Sequence, residues 1–77
     1  MKIFQERLKE LRKSKHISQK ELADILFTSN SCICNWECGR HYPDLDTVAA
    51  IASYFDVTSD YLLGLEDETG SKIKYII

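Results

Sequence analysis

The chain has 77 residues, of which 44% are hydrophobic and 29% charged, with three glycines and one proline. This composition is typical of one small folded domain and excludes collagen-like, low-complexity and disordered chains. No apolar run approaches the roughly 18 residues that cross a bilayer, and the charged N-terminus lacks the apolar segment of a signal peptide. The three cysteines are an odd number crowded into one short segment, which disfavours a secreted disulfide framework. The sequence therefore predicts a cytoplasmic protein with no membrane attachment.

The net charge of −2 hides an uneven distribution along the chain. Residues 1–20 hold seven basic and two acidic side chains, whereas residues 21–77 hold three basic and ten acidic ones. Such a split favours a polyanion-facing end and a self-repelling opposite end. A solvated basic helix would give the same pattern, so charge alone leaves both interpretations open.

Helical periodicity and capping signals predict the first two helices. Apolar residues recur at helical spacing over residues 3–14, and basic side chains occupy the other face. Ser18 and Glu21 form a capping box that begins a second helix. The positions expected to face inward on this helix are Leu22, Ala23, Ile25 and Leu26.

A third helix is predicted from a cap at Ser29 to Cys38, with Gly39 as the residue that ends it. Its inner side carries Ile33 and Trp36. Its outer side carries only small and amide side chains, namely Ser31, Cys34, Asn35 and Cys38. A solvated surface helix normally shows Lys and Glu there, so this outer face is unusual.

The remaining chain predicts two more helices and a tail. Asp44 can cap a fourth helix, and Thr58 or Ser59 a short fifth one over residues 60–63 that Gly64 ends. The inward positions expected on the fourth helix are Leu45, Val48, Ile51, Ala52 and Phe55. Residues 1–66 thus form one all-α domain, and residues 67–77 a C-terminal tail. Its apolar end is expected to pack on a partner subunit near the fifth helix.

Four motifs, in order and at the expected spacing, carry a resemblance to a known family. They are ISQKELA at residues 17–23, IxNWExGR at 33–40, YPDL at 42–45 and DYLLG at 60–64. Together they resemble the phage Cro/repressor-type helix-turn-helix family. The resemblance implies a compact five-helix, lambda-repressor-like DNA-binding domain with the helix-turn-helix at helices 2 and 3. It further implies a homodimer whose third helices enter the major groove of a palindromic operator.

The resemblance also implies roles for individual residues. The side chains expected at base edges are Asn30, Ser31, Cys34 and Asn35, which fits the ability of an amide to bond adenine bidentately. The side chains expected at the DNA backbone are Gln19, Ser29, Arg40, His41, Tyr42 and Lys15. The exposed amides at the start of the third helix would favour a phosphate. The basic first helix, with Arg7, Lys13 and Lys15, would add to the positive field.

Three further positions bear on the resemblance. Arg12 and Glu37 resemble the family's internal ion pair between the first and third helices, with two solvated charges as the alternative interpretation. Phe27 stands where the family usually has the glycine of a left-handed turn, so we expect a reshaped turn with Phe27 partly buried. Cys38 stands where a basic or polar residue is common, which removes one phosphate contact.

No pattern predicts catalysis, a metal or a cofactor. The chain lacks a phosphate-binding glycine loop, a zinc-protease motif and a nucleophile elbow. Cys34 and Cys38 lie one helical turn apart but supply only half of a zinc site, so reduced thiols are expected. Gating of DNA binding by oxidation of either thiol stays open, and no small-molecule effector is predicted.

The expected function is therefore a sequence-specific transcriptional regulator that acts as a repressor on double-stranded DNA. The alternative is a protein-interaction module, an antitoxin or anti-repressor partner, that docks through its acidic half or apolar tail. Binding to several phosphates depends steeply on salt, whereas apolar docking does not, so salt dependence distinguishes the two.

Overall fold

Five α-helices make up most of residues 2–67, the part of the chain that the computed structural model describes. In chain order they are α1 (Lys2–Ser14), α2 (Gln19–Ile25), α3 (Asn30–Cys38), α4 (Leu45–Phe55) and α5 (Ser59–Leu62). The expected all-α, five-helix fold is confirmed, although α5 lies one residue earlier than predicted. The expected packing of the apolar tail concerns residues outside the described part. Among the described helices, none is long and apolar enough to cross a membrane.

All five helices contribute to one hydrophobic core. Helix α3 packs against α1 and α2, and α5 packs against α1 and α4. The largest fully buried side chains are Phe4, Leu8, Leu22, Ile33, Ile51 and Leu62. Since each helix is too short to be stable alone, burial of its apolar stripe in this core supplies most of its stability.

The helices begin where the sequence places caps. The hydroxyl of Ser18 accepts from the Glu21 amide at 3.0 Å, and the Glu21 carboxylate accepts from the Ser18 amide at 3.0 Å, which confirms the capping box. The other N-terminal caps are Ser29, Asp44 and Thr58, which accept from the amides of Cys32, Thr47 and Tyr61. These caps satisfy donors that have no partner within the helix and so fix each starting residue.

Two apolar residues predicted to face inward are exposed. Ile25 is the last residue of α2 and lies at the surface, whereas Leu26 beyond it packs on the core. Leu45 is the first residue of α4, and 82% of its surface is exposed. It shares the apolar stripe of Val48, but the described residues do not cover the first turn of α4. Periodicity predicts the direction of a side chain and not whether a neighbour reaches it.

The turn between α2 and α3 contradicts the expectation for Phe27. The residue is 97% exposed and has a left-handed backbone, with φ of 56°. The amide of Thr28 donates to the Ala23 carbonyl at 2.9 Å, and the amide of Phe27 to the Asp24 carbonyl at 3.3 Å. This pair of hydrogen bonds is a Schellman ending, which requires a left-handed residue at position 27. The family's turn geometry is therefore kept, and Phe27 bears the strain.

A buried ion pair joins α1 to α3, as expected. Arg12 Nε lies 2.6 Å from Glu37 Oε2, and Nη2 lies 3.1 Å from Oε1. The two side chains are 12% and 2% exposed, so the alternative of two solvated charges is wrong. The hydrogen bonds that Arg12 donates to the Glu37 carboxylate raise the pKa of Arg12 above its ordinary value, so the guanidinium stays charged. Arg12 Nη1 also donates to the Ile17 carbonyl at 2.9 Å and so fixes the loop before α2.

We expect Phe27→Gly to stabilise the protein. Removing the side chain relieves a left-handed strain of about 1–2 kcal/mol, partly offset by the greater unfolded-state freedom of glycine, about 0.5–1 kcal/mol. The ring is almost fully exposed, so little packing is lost. Thermal unfolding should show a rise of a few degrees.

Phe27→Ala is the matched control, because alanine removes the ring but keeps the Cβ atom that causes the strain. It should unfold close to the unaltered protein. Equal stabilisation by both variants would contradict a backbone origin of the strain.

Removing Arg12 should destabilise the fold far more than removing an exposed cation. Arg12→Met leaves the Glu37 carboxylate buried without its cation, which costs about 3–5 kcal/mol. The double variant Arg12→Met, Glu37→Leu removes both charges and should regain a large part of this loss. Urea unfolding followed by Trp36 fluorescence measures all three proteins.

The matched control is Lys13→Met, a neighbouring exposed cation on α1, with an expected change within about 0.5 kcal/mol. An Arg12→Met protein as stable as this control would show that the ion pair does not hold α3 in place.

Candidate nucleic-acid interface

The outer face of α3 presents the predicted base-contacting residues together on one surface. Asn30, Ser31 and Cys34 are exposed, and Asn35 is half-buried. On the opposite side of the same helix, Ile33 and Trp36 are buried in the core. The helix is therefore anchored by one face while short polar side chains on the other face stay accessible.

The N-terminus of α3 is open to solvent. Ser29 caps it with an extended backbone, and its hydroxyl accepts from the Cys32 amide at 3.2 Å. The first residues after the cap, Asn30 and Ser31, are exposed. The positive end of the helix dipole and its unpaired amides favour an anion at this position.

The C-terminus of α3 turns sharply at Gly39. Its φ of 81° is left-handed, and a Cβ atom there would lie 2.1 Å from Nε2 of Gln5 on α1. The left-handed backbone favours glycine, and a larger residue would also displace the end of the Gln5 side chain, a contact that the sequence pattern did not indicate. The turn also lets the Arg40 amide donate to the Asn35 carbonyl at 3.0 Å.

Beyond this turn, three predicted backbone-contacting residues lie at the surface. Arg40, His41 and Tyr42 are all exposed. The Tyr42 ring also packs edge-on against Phe4, with the two centroids 6.1 Å apart. The segment thus continues the accessible surface of α3 and is held to α1 by an aromatic contact.

Gln19, the first residue of α2, is linked to the buried ion pair. Its Nε2 donates to Glu37 Oε1 at 3.2 Å. The amide group has a second N–H, so one side chain can be oriented by Glu37 and still donate to a neighbouring anion. Arg12, Glu37 and Gln19 therefore fix the relative position of α1, α2 and α3.

Two basic residues, Arg7 on α1 and Lys15 just after its end, contact other helices of the fold and not the outer face of α3. Lys15 Nζ lies 4.6 Å from the centre of the Tyr54 ring and 3.5 Å from the Tyr54 carbonyl oxygen, at the end of α4. Arg7 lies 4.1 Å above the Tyr61 ring and donates to the backbone carbonyls of Tyr61 and Glu66. The sequence analysis did not predict the contacts of Arg7 with Tyr61 and Glu66, because helical periodicity alone assigns such a cation to the solvent-exposed basic face.

The three thiols differ in their surroundings. Cys34 and Cys38 are exposed on the outer face of α3, and Cys32 is half-buried. Hydrogen bonds from the side chains of Ser29 and then Thr28 lower the pKa of Cys32. Within residues 2–67, no group of three or more His, Cys, Asp or Glu side chains is placed to hold a metal ion.

Sequence comparison identifies relatives among transcriptional regulators. The model of the helix-turn-helix domain family matches residues 5–68. The transcriptional activator BcrR of Enterococcus faecalis is 39% identical over 83% of this chain. The transcriptional regulator AnsR of Bacillus subtilis is 41% identical over 82% of the chain. The chain spans only 31% of the length of BcrR and 54% of that of AnsR.

Comparison with solved structures also identifies a helix-turn-helix DNA-binding domain. The P22 c2 repressor in complex with a synthetic operator superposes with a TM-score of 0.73 and 29% identity, over 77% of this chain and 89% of the repressor chain. The solution structure of the DNA-binding domain of the same repressor gives a TM-score of 0.72 and 30% identity, over 78% and 79%. The chain therefore belongs to the helix-turn-helix domain family and has the fold of the DNA-binding domain of the P22 c2 repressor.

Proposed function

We propose that this domain is a sequence-specific, DNA-binding transcriptional repressor that binds a palindromic operator as a homodimer in the cytoplasm. The observation that carries the proposal is the outer face of α3. It combines exposed hydroxyl, amide and thiol groups with an anchored inner face, and it lacks both the long charged side chains of a solvated helix and the large apolar side chains of a protein-binding helix.

The chemistry of this face suits the major groove. The side-chain amides of Asn30 and Asn35 can each donate to N7 and accept from N6 of adenine, which makes a bidentate pair, and the Ser31 hydroxyl can bond several bases. Cys34 is small and weakly polar, so it permits close approach of the helix to a base edge. The proposed base contacts are therefore Asn30, Ser31, Cys34 and Asn35.

The proposed backbone contacts surround this face on both sides. Gln19 and Ser29 supply neutral donors at the starts of α2 and α3. Arg40, His41 and Tyr42 follow the end of α3, and Arg40 is the only Lys or Arg between residues 21 and 71. Lys15, just after α1, packs on Tyr54 of α4, so in this proposal it contributes only to the general positive field of this end of the domain. No metal, cofactor or small-molecule effector takes part.

Repression fits the proposed binding geometry, because two α3 helices in successive major grooves, about 34 Å apart, would occlude a promoter that overlaps the operator. The similarity to the P22 c2 repressor supports this direction of control, whereas BcrR is named an activator. A reporter gene with the selected operator at its promoter distinguishes repression from activation. A repressor lowers expression of the reporter, and an activator raises it.

A protein-interaction module is the second candidate. Residues 44–67 hold six acidic residues and no Lys or Arg, and an apolar groove opens beside the first turn of α4. These features suit binding to another protein, as an antitoxin or anti-repressor partner does, more than binding to DNA.

Selection of duplexes from a random library should enrich an inverted repeat with half-sites one helical turn apart. Asn35→Ala should lose about 1–3 kcal/mol of operator binding and relax the preference at one base pair, because a bidentate contact is removed. Asn30→Ala and Ser31→Ala should have similar or smaller effects.

Ser53→Ala, an exposed serine on α4, is the matched control for Ser31→Ala and should bind like the unaltered protein. A folded protein that enriches no sequence would contradict operator recognition and favour the interaction module.

Salt titration tests the phosphate contacts separately. Arg40→Gln should reduce the slope of log affinity against log salt by about 0.9, the value for one lost phosphate contact. Lys9→Gln is the matched control, since Lys9 lies beside Glu6 and Glu10 on α1. Its slope should stay unchanged, and an equal change in both variants would indicate a general charge effect.

A further inference from the structure

Two of the three thiols form a pair on the outer face of α3. Cys34 and Cys38 are both exposed and lie one helical turn apart on that face. Because Cα–Cβ bonds tilt towards the start of a helix, the Cys38 side chain lies over the turn that carries Cys34. Its Sγ lies 3.6 Å from the carbonyl oxygen of Asn35 in that turn, which agrees with this direction. The two sulfur atoms are therefore neighbours on the helix surface.

The spacing of this pair suits a bridging ion and not a disulfide. Side chains four residues apart on a helix have Cβ atoms about 5–6 Å apart. A disulfide needs Cβ atoms about 3.5–4.5 Å apart, so the pair cannot form one while α3 stays helical. A bond between a thiolate and a metal ion is about 2.3 Å long, so two sulfurs on one ion are separated by up to about 4.6 Å. The helical pair can provide this separation by rotating its two side chains.

The number of donors selects the ion. Every cysteine and histidine of the chain lies within the described residues 2–67, and in that part of the chain no third His, Cys, Asp or Glu completes a metal-binding group. Cys32 is about 160° around the helix from Cys34, so it cannot join the pair. Thiolates favour soft ions, but zinc and iron–sulfur clusters need four ligands, whereas Cu(I) is stable with two thiolates in a linear arrangement.

We propose that Cys34 and Cys38 form a two-thiolate site for Cu(I), and that the bound ion closes the outer face of α3 to DNA. Binding breaks two S–H bonds, forms two Cu–S bonds and releases two protons to solvent, with no change in oxidation state. Compared with the two protonated thiols, the product carries one additional negative charge. The ion takes no part in DNA binding and competes with it.

The position of the pair explains the competition. Cys34 is a proposed base contact, so an ion bound to its sulfur occupies space at the base edges. The added negative charge on the same face repels the phosphates of the groove. The exclusion of DNA rests on the proposed function, whereas the binding of Cu(I) does not.

Competition with a coloured chelator measures the site on the protein alone. The full-length chain is reduced, freed of reductant under nitrogen and titrated with Cu(I) in the presence of ferrozine, which forms a coloured Cu(I) complex. The protein should withdraw one Cu(I) per chain, and X-ray absorption should show two sulfur neighbours around the ion. A protein that withdraws no copper, or one copper for every two chains, would overturn the proposal.

Two serine variants make the result specific, and circular dichroism checks that both are folded. Cys38→Ser replaces one sulfur by oxygen, a poor ligand for Cu(I), at an exposed position outside the proposed DNA contacts. It should weaken Cu(I) binding by more than about 100-fold, since loss of a supporting contact alone costs about 10–100-fold. Cys32→Ser is the matched control on the other side of α3 and should still bind one Cu(I) per chain. Full binding by Cys38→Ser, or an equal loss in both variants, would contradict a site made by the pair.

Operator binding tests the exclusion of DNA. One equivalent of Cu(I) should lower the operator affinity of the unaltered protein and of Cys32→Ser about tenfold or more, and leave that of Cys38→Ser unchanged. A copper-loaded protein that binds the operator as tightly as the metal-free protein would overturn the exclusion. A protein that binds Cu(I) but enriches no duplex would support the copper site and contradict the proposed function.

Discussion

The buried contact between Arg12 and Glu37 is the interaction on which the position of the candidate interface depends. Glu37 is one residue beyond Trp36 on the inner side of α3, and it accepts from Arg12 of α1 and from Gln19 at the start of α2. Because a carboxylate buried alone is costly, the three helices are restrained to the one arrangement that satisfies it. Hydrophobic packing of Ile33 and Trp36 tolerates small rotations of α3, whereas a bidentate ion pair is directional. The orientation of the outer face of α3 follows from this restraint.

The helix endings are the second constraint on the interface. Phe27 and Gly39 both have left-handed backbones, one before α3 and one after it. At Gly39 the left-handed φ of 81° favours glycine, and the end of the Gln5 side chain of α1 lies in the space that a Cβ atom would take. At Phe27 the same geometry is formed by a residue that pays a steric penalty. Retention of this ending indicates that the hydrogen bonds and the packing of α2 against α3 outweigh the local preference of one residue.

Much of the fold could be predicted from the sequence because its signals are local. The caps have partners three residues away: the structure confirms Ser18, Ser29 and Asp44, and of the two candidates for the fifth helix it selects Thr58 over Ser59. The inner and outer faces of α3 were likewise predictable, because one helix of nine residues has a fixed periodicity. The wrong predictions that Phe27 and Leu45 are at least partly buried have a cause that is not local. Both depend on whether a neighbouring element covers a side chain, and neither spacing nor propensity contains that information.

The distinction between local sequence signals and tertiary contacts also applies to the candidate interface. The sequence by itself determined which residues could lie on the outer face of α3 and which ones cap or end the helices, because these properties depend on residues within one or two turns. Only the tertiary structure decided that Lys15 and Arg7 lie against Tyr54 and Tyr61, and that an apolar groove remains open at Leu45. These contacts join residues about forty to sixty positions apart, so they exist only once the helices have packed.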